Sequence, residues 1–364
     1  MTTITKLKDI VDKSKIYQLY QNINNHPLKI DQLNMNEMVE FIIQFYNNTT
    51  NLSYILNHQQ VQFLERLLKN QEHTDELSSM DTLQKLFIVD DHYQIYDEIK
   101  ESIENLIKYS YSLEGKEFFL LKDILIGLTK AYGAIEKDEL YSRILEYTDT
   151  YSKVQIDDLL IKSNYFYHTV GYLKFNSVKG EKEFITDQNL SLVETFLNEF
   201  EESLLLSKKK FTLDELLELS HYGIIYSNIY LQDVFESLSQ VDPHFNQNQL
   251  IDCIIMNIHL LGTGQKIKEY IYEIYPHCKD NAEHFFNLME KVEDMIPTIH
   301  SWAMGGYPYN HALNVFKELP FDKMDEPFIN ELDSFSSFKS FLDDLDDEDL
   351  QDILNPEIDP TKIN

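Results

Sequence analysis

The sequence predicts a mainly α-helical protein with a few short β-hairpins. Apolar residues recur along most of the chain at the spacing i, i+3, i+4, i+7, which places them on one face of a helix. Two of the helical stretches run into short segments rich in aromatic and β-branched residues, which favour a hairpin. The chain has 364 residues, of which 43% are hydrophobic and 13% aromatic, so it can bury a sizeable core.

Residues 1–112 are predicted to form three helices followed by a hairpin. The first helix contains an apolar stripe within 38–45, and the second starts at Asn57, whose side chain can cap it. A short helix over 80–86 leads into residues 87–95, where two apolar runs flank a pair of aspartates. Helices that end in a hairpin are typical of a winged-helix module.

Residues 113–188 repeat this order with stronger signals. Helix, strand, helix, helix and hairpin are predicted over residues 119–132, 134–135, 136–147, 152–161 and 165–175. Gly133 ends the first of these helices and Ser152 caps the third. Together the two segments predict two tandem winged-helix-like modules; the alternative is a set of unrelated helices with incidental hairpins.

From residue 190 onward the helical periodicity continues almost without interruption. We predict a helical bundle over 189–325, in which residues 222–229 form either a strand or a turn between two helices. Residues 326–364 form a separate acidic, amphipathic tail, where 343–352 alone contain seven acidic residues.

The charge balance limits the classes of partner. The chain has 31 lysines and arginines against 62 aspartates and glutamates, which gives a formal net charge of −31. Binding to nucleic acid or to an anionic membrane through the general field of the chain is disfavoured, because both need basic residues to neutralise phosphates. The same charge favours a basic protein partner.

Cysteine usage and hydropathy predict a soluble protein of the cytoplasm. Cys253 and Cys278 are the only cysteines, too few for a disulfide framework or a four-cysteine zinc module. The first residues lack the apolar core of a signal peptide, and the most apolar internal run, 250–261, is too short and too polar to span a bilayer. No membrane contact is predicted.

No pattern in the sequence nominates a catalytic residue or a cofactor. Residues 262–266, Gly-Thr-Gly-Gln-Lys, lack the spacing of a phosphate-binding loop and are better explained as a turn between helices. The nucleophile elbow, the zinc-protease helix and the calcium-binding loop have no counterpart. We therefore expect a protein that is not an enzyme. The alternative, an enzyme of unknown class, requires a buried pair of ionisable groups in a deep pocket.

Two groups of residues contain the side chains of a metal site but not its pattern. Glu218 and His221 share a helix face, yet a di-metal bundle needs two such pairs and two further glutamates. His277, Cys278 and His284 lie close together in sequence, but their spacing matches no zinc module. The sequence predicts no metal site.

A local DNA-binding surface is the main alternative to a protein partner. In a helix-turn-helix protein the recognition helix enters the major groove. Interleaved acidic residues and the absence of arginine within 152–182 weigh against base recognition. The candidate DNA contacts lie on the third helix of the second module and in or beside its wing: Lys153, Lys162, Lys174, Lys179 and Lys182.

The acidic tail is the predicted contact for a protein partner. A short helix there would insert apolar side chains into a groove of the partner, while its carboxylates steer it to a basic surface. The alternatives are a solvated extension and an imitation of the charge of DNA. The predicted contact residues are Phe341, Leu345, Asp346, Asp347, Glu348, Asp349, Leu350, Ile353 and Leu354.

Two short segments resemble parts of bacterial protein families. Residues 16–42, which include Leu33-Asn-Met-Asn-Glu-Met-Val-Glu-Phe41, resemble the helix-extended-helix start of SAP and Rho N-terminal-like domains. Residues 299–308, Ile-His-Ser-Trp-Ala-Met-Gly-Gly-Tyr-Pro, resemble a segment of uncharacterised bacterial proteins that finish in a zinc-chelating SEC-C motif. No cysteine follows Cys278, so the sequence lacks that zinc motif. The resemblance implies a bacterial regulatory or accessory protein and assigns no catalytic residue.

The sequence therefore predicts a cytosolic, non-enzymatic adaptor or regulator. It would bind a basic partner protein, for instance one that itself binds nucleic acid, through an acidic surface and the tail. The alternative is a winged-helix transcriptional regulator that contacts DNA through residues 152–182.

Overall fold

The chain forms two compact units in a computed structural model. The first unit comprises Met1–Ile126 and Leu140–Gly171, and the second comprises Gly127–Glu139 and Tyr172–Asn364. Most of the described residues are helical, which confirms the prediction of a mainly α-helical protein. The residues that the structure describes are 16, 34–71, 83–84, 86–90, 92–167, 171–177, 180–187, 190, 208–241, 245–258, 265–274, 282–302 and 305–308.

The described elements are grouped by their position before or after residue 170. Those before residue 170 are α1 (Met35–Tyr46), α2 (Thr49–Ile55), α3 (His58–Leu68), α4 (Lys100–Tyr111), α5 (Leu113–Tyr132), β1 (Ala134–Glu136), α6 (Lys137–Ile144) and α7 (Lys153–Tyr167). Those after it are β2 (Gly171–Ser177), β3 (Gly180–Thr186), α8 (Leu213–Tyr222), α9 (Ile229–Val241), α10 (Gln247–Ile258), α11 (Gln265–Ile274) and α12 (Ala282–Met295). Single 3-10 turns precede α4 and follow α12.

Helix α3 begins at the cap that the sequence predicts. The side chain of Asn57 accepts a hydrogen bond of 2.8 Å from the backbone of Gln60, and the Gln60 side chain accepts one of 3.0 Å from the backbone of Asn57. This capping box satisfies two backbone donors at the start of the helix. Val61 and Leu64 then turn into the core of the first unit.

The core of the first unit is built from the apolar faces of α1 to α5. Tyr46, Phe63 and Phe119 are among its largest fully buried side chains. A buried tyrosine needs a partner for its hydroxyl group. The Tyr46 hydroxyl donates a 2.6 Å hydrogen bond to the carbonyl of Leu86, which ties α1 to the segment that precedes α4.

Helix α5 starts earlier than the sequence predicts. It begins at Leu113, immediately after α4, and Gly115 therefore lies inside the helix. A Cβ atom at Gly115 would stand 1.9 Å from the carbonyl oxygen of Tyr109. Glycine is thus required because two consecutive helices approach closely at this position. The hydrophobic periodicity of the sequence does not predict this contact.

The hairpin predicted over 87–95 is reduced to one antiparallel bridge, between Val89 and Ile95. The turn between them is closed by Asp90, whose side chain accepts hydrogen bonds of 2.8 Å from the backbones of His92 and Gln94. Such local bonds from an aspartate stabilise a turn without a longer ladder.

The strands form one sheet in the order β1-β3-β2. Strands β1 and β3 are antiparallel, with a register that runs from Ala134 opposite Thr186 to Glu136 opposite Phe184. The predicted wing begins too early, because α7 continues to Tyr167 and the first strand of the hairpin starts at Gly171. The preference of aromatic residues for strands depends on their surroundings, and here the helix continues through the aromatic residues at the end of α7.

In the second unit, helix α8 has a capping box and a glycine stop. The Thr212 hydroxyl accepts a hydrogen bond from the backbone of Glu215, the Glu215 side chain accepts one from the backbone of Thr212, and Gly223 ends the helix at φ +77°. Of the two structures predicted for residues 222–229, a strand or a turn between two helices, the structure shows the turn.

Helices α9 to α12 surround the main apolar core of the second unit, in which α9 packs against α12 and α10 against α11. The described helices include none that is both long and apolar enough to cross a lipid bilayer. The predicted domain boundaries at 112, 188 and 325 stay predictions.

Candidate binding cavity in the first unit

The first unit contains a cavity of about 690 Å³, within the size range of ligand-binding clefts. Four helices surround it, α2, α4, α5 and α7, together with the loop that leads into α7. Helix α2 contacts both α4 and α7, and these contacts fix the relative positions of three walls.

Three carboxylates line the cavity. Glu114 is exposed, while Glu117 and Asp158 are half-buried. Among the described residues that line the cavity there is no lysine, arginine or histidine. The cavity therefore presents negative charge to a ligand, and a cation is the ligand that this charge attracts.

Four aromatic rings form much of the remaining wall: Tyr54, Tyr109, Phe118 and Tyr151. Tyr54 and Phe118 meet edge to face with ring centroids 5.4 Å apart, and the Tyr109 and Phe118 centroids lie 6.4 Å apart. The edge-to-face contact fixes the relative orientation of the Tyr54 and Phe118 rings. Ring faces attract cations, so the aromatic wall and the carboxylates favour the same class of ligand.

The cavity environment keeps the tyrosine hydroxyl groups protonated. Burial raises the pKa of Tyr151 to about 12, and the neighbouring phenol of Tyr109 and the carboxylates of Glu117 and Glu114 add to the effect. Burial likewise raises the pKa of Tyr109, with a further contribution from Glu114, and it is the main cause of the raised pKa of Tyr54. Burial and the nearby carboxylates thus disfavour the negative charge of an ionised phenol in the cavity.

A buried lysine, Lys122, holds the wall formed by α2. Its Nζ donates hydrogen bonds of 3.1, 2.8 and 2.7 Å to the backbone carbonyls of Ser53, Tyr54 and Leu56. These carbonyls belong to the last turn of α2 and to its C-cap, where helix carbonyls lack backbone partners. Burial lowers the pKa of Lys122 to about 7, and the adjacent carboxylate of Asp123 acts in the opposite sense.

A lysine of the chain already contacts one side of the cavity. The Nζ of Lys162 lies 2.6 Å from a carboxylate oxygen of Asp158 and 4.6 Å from the centre of the Tyr54 ring. The Tyr54 hydroxyl donates to the same oxygen of Asp158 at 3.2 Å. An ammonium group is thus held between a carboxylate and a ring face at the edge of the cavity.

The other described lysines of the predicted DNA-binding surface also contact acidic or aromatic groups of the chain. The Nζ of Lys153 lies 5.1 Å from the centre of the Tyr141 ring. The Nζ of Lys182 lies 3.0 Å from a carboxylate oxygen of Glu136. These contacts reduce the positive charge that the surface offers to a phosphate backbone.

Two of the five candidate lysines are described incompletely or not at all. Lys174 lies in β2, where the structure describes only the backbone, and Lys179 lies outside the described residues. All nine predicted tail contacts, which fall within 341–354, also lie outside the described residues. Their predicted roles stay predictions.

The residues considered for metal binding have other contacts where the structure describes them. Glu218 accepts hydrogen bonds of 2.9 Å from the backbone and the hydroxyl of Ser227. His284 lies with Nε2 3.2 Å from the carbonyl of Ser237, and His277 and Cys278 fall outside the described residues. Within the described ranges, no three His, Cys, Asp or Glu side chains are grouped as a metal site would require.

Trp302, in the segment 299–308, has a structural role in the second unit. Trp302 is 2% exposed, and its Nε1 donates a 2.7 Å hydrogen bond to the carbonyl of Lys130 at the end of α5. Gly133 lies against the indole at φ +70°, where a Cβ atom would stand 2.5 Å from Cδ2 of Trp302. The Lys130 Nζ in turn pairs with Asp187 at 2.9 Å.

Comparison with protein-family models, with curated proteins and with solved structures gave no match. The comparisons therefore do not test the resemblances of residues 16–42 and 299–308 to bacterial families, which stay predictions from the sequence.

Sequence reasoning missed the cavity because its walls come from four separate segments. Glu114, Glu117 and Phe118 share one face of α5 at helical spacing, but many acidic helices in this chain have such a pattern. Lys122 gave a clearer signal, because a Lys-Asp pair interrupts the apolar run 118–128. A charged pair inside an apolar helix indicates a buried, partnered lysine.

Proposed function

We propose that this protein is a non-enzymatic adaptor or regulator that binds a basic segment of a partner protein at the cavity of the first unit. The observation that carries the proposal is a cavity lined by three carboxylates and four aromatic rings, with no basic side chain among the described lining residues. Complementary charge gives such a site its selectivity for a basic partner and increases the rate of association.

Exposed apolar side chains at the edge of the cavity favour a protein as the partner. Val154, which lines the cavity, is 76% exposed, and Leu113, next to Glu114 at the start of α5, is 77% exposed. Exposed apolar side chains beside tyrosines and carboxylates have the composition of a protein interface with a polar rim. The acidic segment 326–364 is proposed as a second contact for the same basic partner, on its sequence alone.

A DNA-binding role is the second candidate, and the order of elements favours it. We propose that α5 to β3 form a winged-helix module, because helix, strand, helix, helix, strand, strand with the sheet order β1-β3-β2 is the arrangement of that fold. The contacts of Lys153, Lys162 and Lys182 with aromatic and acidic side chains weigh against DNA as the ligand. We therefore place this module in a protein-binding role.

The proposal is tested by titrating the full chain with a defined basic probe. The lysine peptide is a fluorescein-labelled synthetic peptide with four lysines separated by Ser-Gly pairs, and its binding is followed by fluorescence anisotropy. We expect saturable binding that weakens as salt is raised, because exposed charges are screened. A peptide with glutamate in place of lysine is the control and should not bind. Absence of saturable binding of the lysine peptide at low salt would overturn the proposal.

The DNA candidate is tested in parallel with a duplex oligonucleotide. Lys153→Glu, Lys162→Glu and Lys174→Glu are combined in one variant. If the wild-type chain binds the duplex and the triple variant does not, the DNA role replaces the protein-binding role. Binding of the lysine peptide without binding of the duplex supports the adaptor.

A further inference from the structure

We infer that four residues of the cavity lining, Tyr109, Tyr151, Glu114 and Glu117, form a binding site for the ammonium group of a lysine side chain of the partner. We call these four residues the ammonium site. The inference rests on the proposed function and specifies which chemical group of the basic partner enters the cavity.

The chain itself provides a precedent elsewhere in the cavity lining. Lys162 places its ammonium group 2.6 Å from the Asp158 carboxylate and 4.6 Å from the centre of the Tyr54 ring. A compact cation is attracted both by the carboxylate and by the negative face of the ring. The same two kinds of group, tyrosine rings and carboxylates, make up the ammonium site.

The ammonium site differs in lacking a cation from the described chain. Neither Glu114 nor Glu117 forms an ion pair with a basic side chain among the residues that the structure describes. Tyr109, Tyr151, Glu114 and Glu117 all line the same cavity. Both carboxylates contribute to the raised pKa of Tyr151, and Glu114 contributes to that of Tyr109. The phenol oxygens and carboxylates offer acceptors for the three donors of an ammonium group.

The apolar part of the cavity suits the alkyl chain of a lysine. Leu121 and Leu159, which are 1% and 2% exposed, line the cavity together with Phe118. A lysine side chain has four methylene groups, which gain by contact with an apolar wall while the charged end stays among polar groups. The guanidinium group of arginine is larger and planar, and it needs acceptors arranged in one plane.

The test compares two double variants that remove the same charge. Glu114→Gln with Glu117→Gln alters the ammonium site, whereas Glu101→Gln with Glu104→Gln alters two exposed carboxylates of α4 outside the cavity. We expect about a tenfold loss of affinity for the lysine peptide in the first variant and less than a twofold loss in the second. Thermal unfolding of both variants shows that each is folded.

The chemical group is tested with modified peptides. Acetylation of the four lysines removes the charge and should abolish binding, and substitution of arginine for lysine should weaken it. Free n-butylammonium, which carries the same head group without a peptide, should compete with the lysine peptide at millimolar concentration. Tyr151→Leu should weaken binding more than Tyr151→Phe does, because phenylalanine keeps the ring face and loses only the phenol oxygen.

The outcomes separate this inference from the proposed function. If the lysine peptide does not bind the wild-type chain, the proposed function fails. If it binds but both double variants lose affinity equally, or if the arginine peptide binds as tightly, the adaptor role stands and the ammonium site is overturned.

Discussion

The ammonium nitrogen of Lys122 lies 2.7 Å from the carbonyl oxygen of Leu56. The bond joins the middle of α5 to the C-cap of α2, and the same nitrogen also bonds the carbonyls of Ser53 and Tyr54. Three donors thus meet three carbonyls that the helix end leaves without backbone partners. Lys122 thereby holds the wall of the cavity that carries Tyr54.

The depressed pKa of Lys122 predicts a specific dependence of stability on pH. The pKa is about 7 in the folded chain, where burial disfavours the charge, against 10.5 in the unfolded chain. Between these values the unfolded chain binds more protons, so the free energy of unfolding should rise with pH from about 7 to 10.5. Below about pH 7 Lys122 is protonated in both the folded and the unfolded chain. The gain in the free energy of unfolding that comes from its deprotonation in the folded chain is then absent.

The measurement is urea unfolding followed by circular dichroism across that pH range, for the wild type and for Lys122→Met. The free energy of unfolding of the wild type should increase with pH relative to that of Lys122→Met. Lys108→Met, which removes an exposed lysine of α4, is the control and should follow the wild type. A pH-independent difference between the wild type and Lys122→Met would contradict the prediction.

Gly133→Ala should destabilise the second unit by about 2–4 kcal/mol, a range set by overpacking and by strain at positive φ. The φ of Gly133 is +70°, and an added Cβ would meet the indole of Trp302 at 2.5 Å. Trp302 is the only tryptophan of the chain, so its fluorescence reports this site directly. We expect a red shift of its emission.

Gly133→Asn separates the two causes of that destabilisation. Asparagine tolerates positive φ better than alanine does, but its Cβ lies at the same place. A clash with Trp302 predicts that both variants lose similar stability. Full recovery in Gly133→Asn would show that φ alone requires glycine here.

Thr212→Ala should cost about 1 kcal/mol of the free energy of unfolding of the second unit. The variant loses the hydroxyl that accepts a 3.2 Å hydrogen bond from the backbone of Glu215. Urea unfolding followed by Trp302 fluorescence measures the loss. Thr212→Ser keeps the hydroxyl and should stay within a few tenths of a kcal/mol of the wild type; an equal loss in both variants would argue against the cap.

Lys162→Met should strengthen binding of the lysine peptide by about fivefold, the effect of an ion-pair energy near 1 kcal/mol. The variant removes the ammonium group that pairs with Asp158 and covers the Tyr54 ring, so both become accessible to the ligand. Anisotropy titration measures the change, and Lys69→Met, which removes a lysine from a surface ion pair with Glu65, is the control. Weaker binding of Lys162→Met would mean that Lys162 itself contacts the peptide.

Local signals in the sequence located many elements correctly. Asn57 starts α3, Gly133 follows the last residue of α5, and Ser152 caps α7 through a hydrogen bond from the backbone of Gln155. Each of these signals acts within a few residues of the chain, so it can be read without knowledge of the fold. The start of α5 was missed because glycine at position 115 suggested a break between elements. Glycine is needed there because the backbone of Tyr109, in another helix, approaches too closely for a Cβ atom.

The sequence by itself determined the helical class, the caps and the excess of negative charge, since periodicity, short-range hydrogen bonds and composition are properties of the linear chain. Only the tertiary structure decided that Tyr54, Tyr109, Glu114, Glu117 and Tyr151 surround one cavity. It also decided that Lys122 is buried against α2 and that Lys162 faces Asp158 and Tyr54. These relationships depend on how helices distant in sequence pack together, and a helical pattern defines which face of each helix is buried but not which helix covers it.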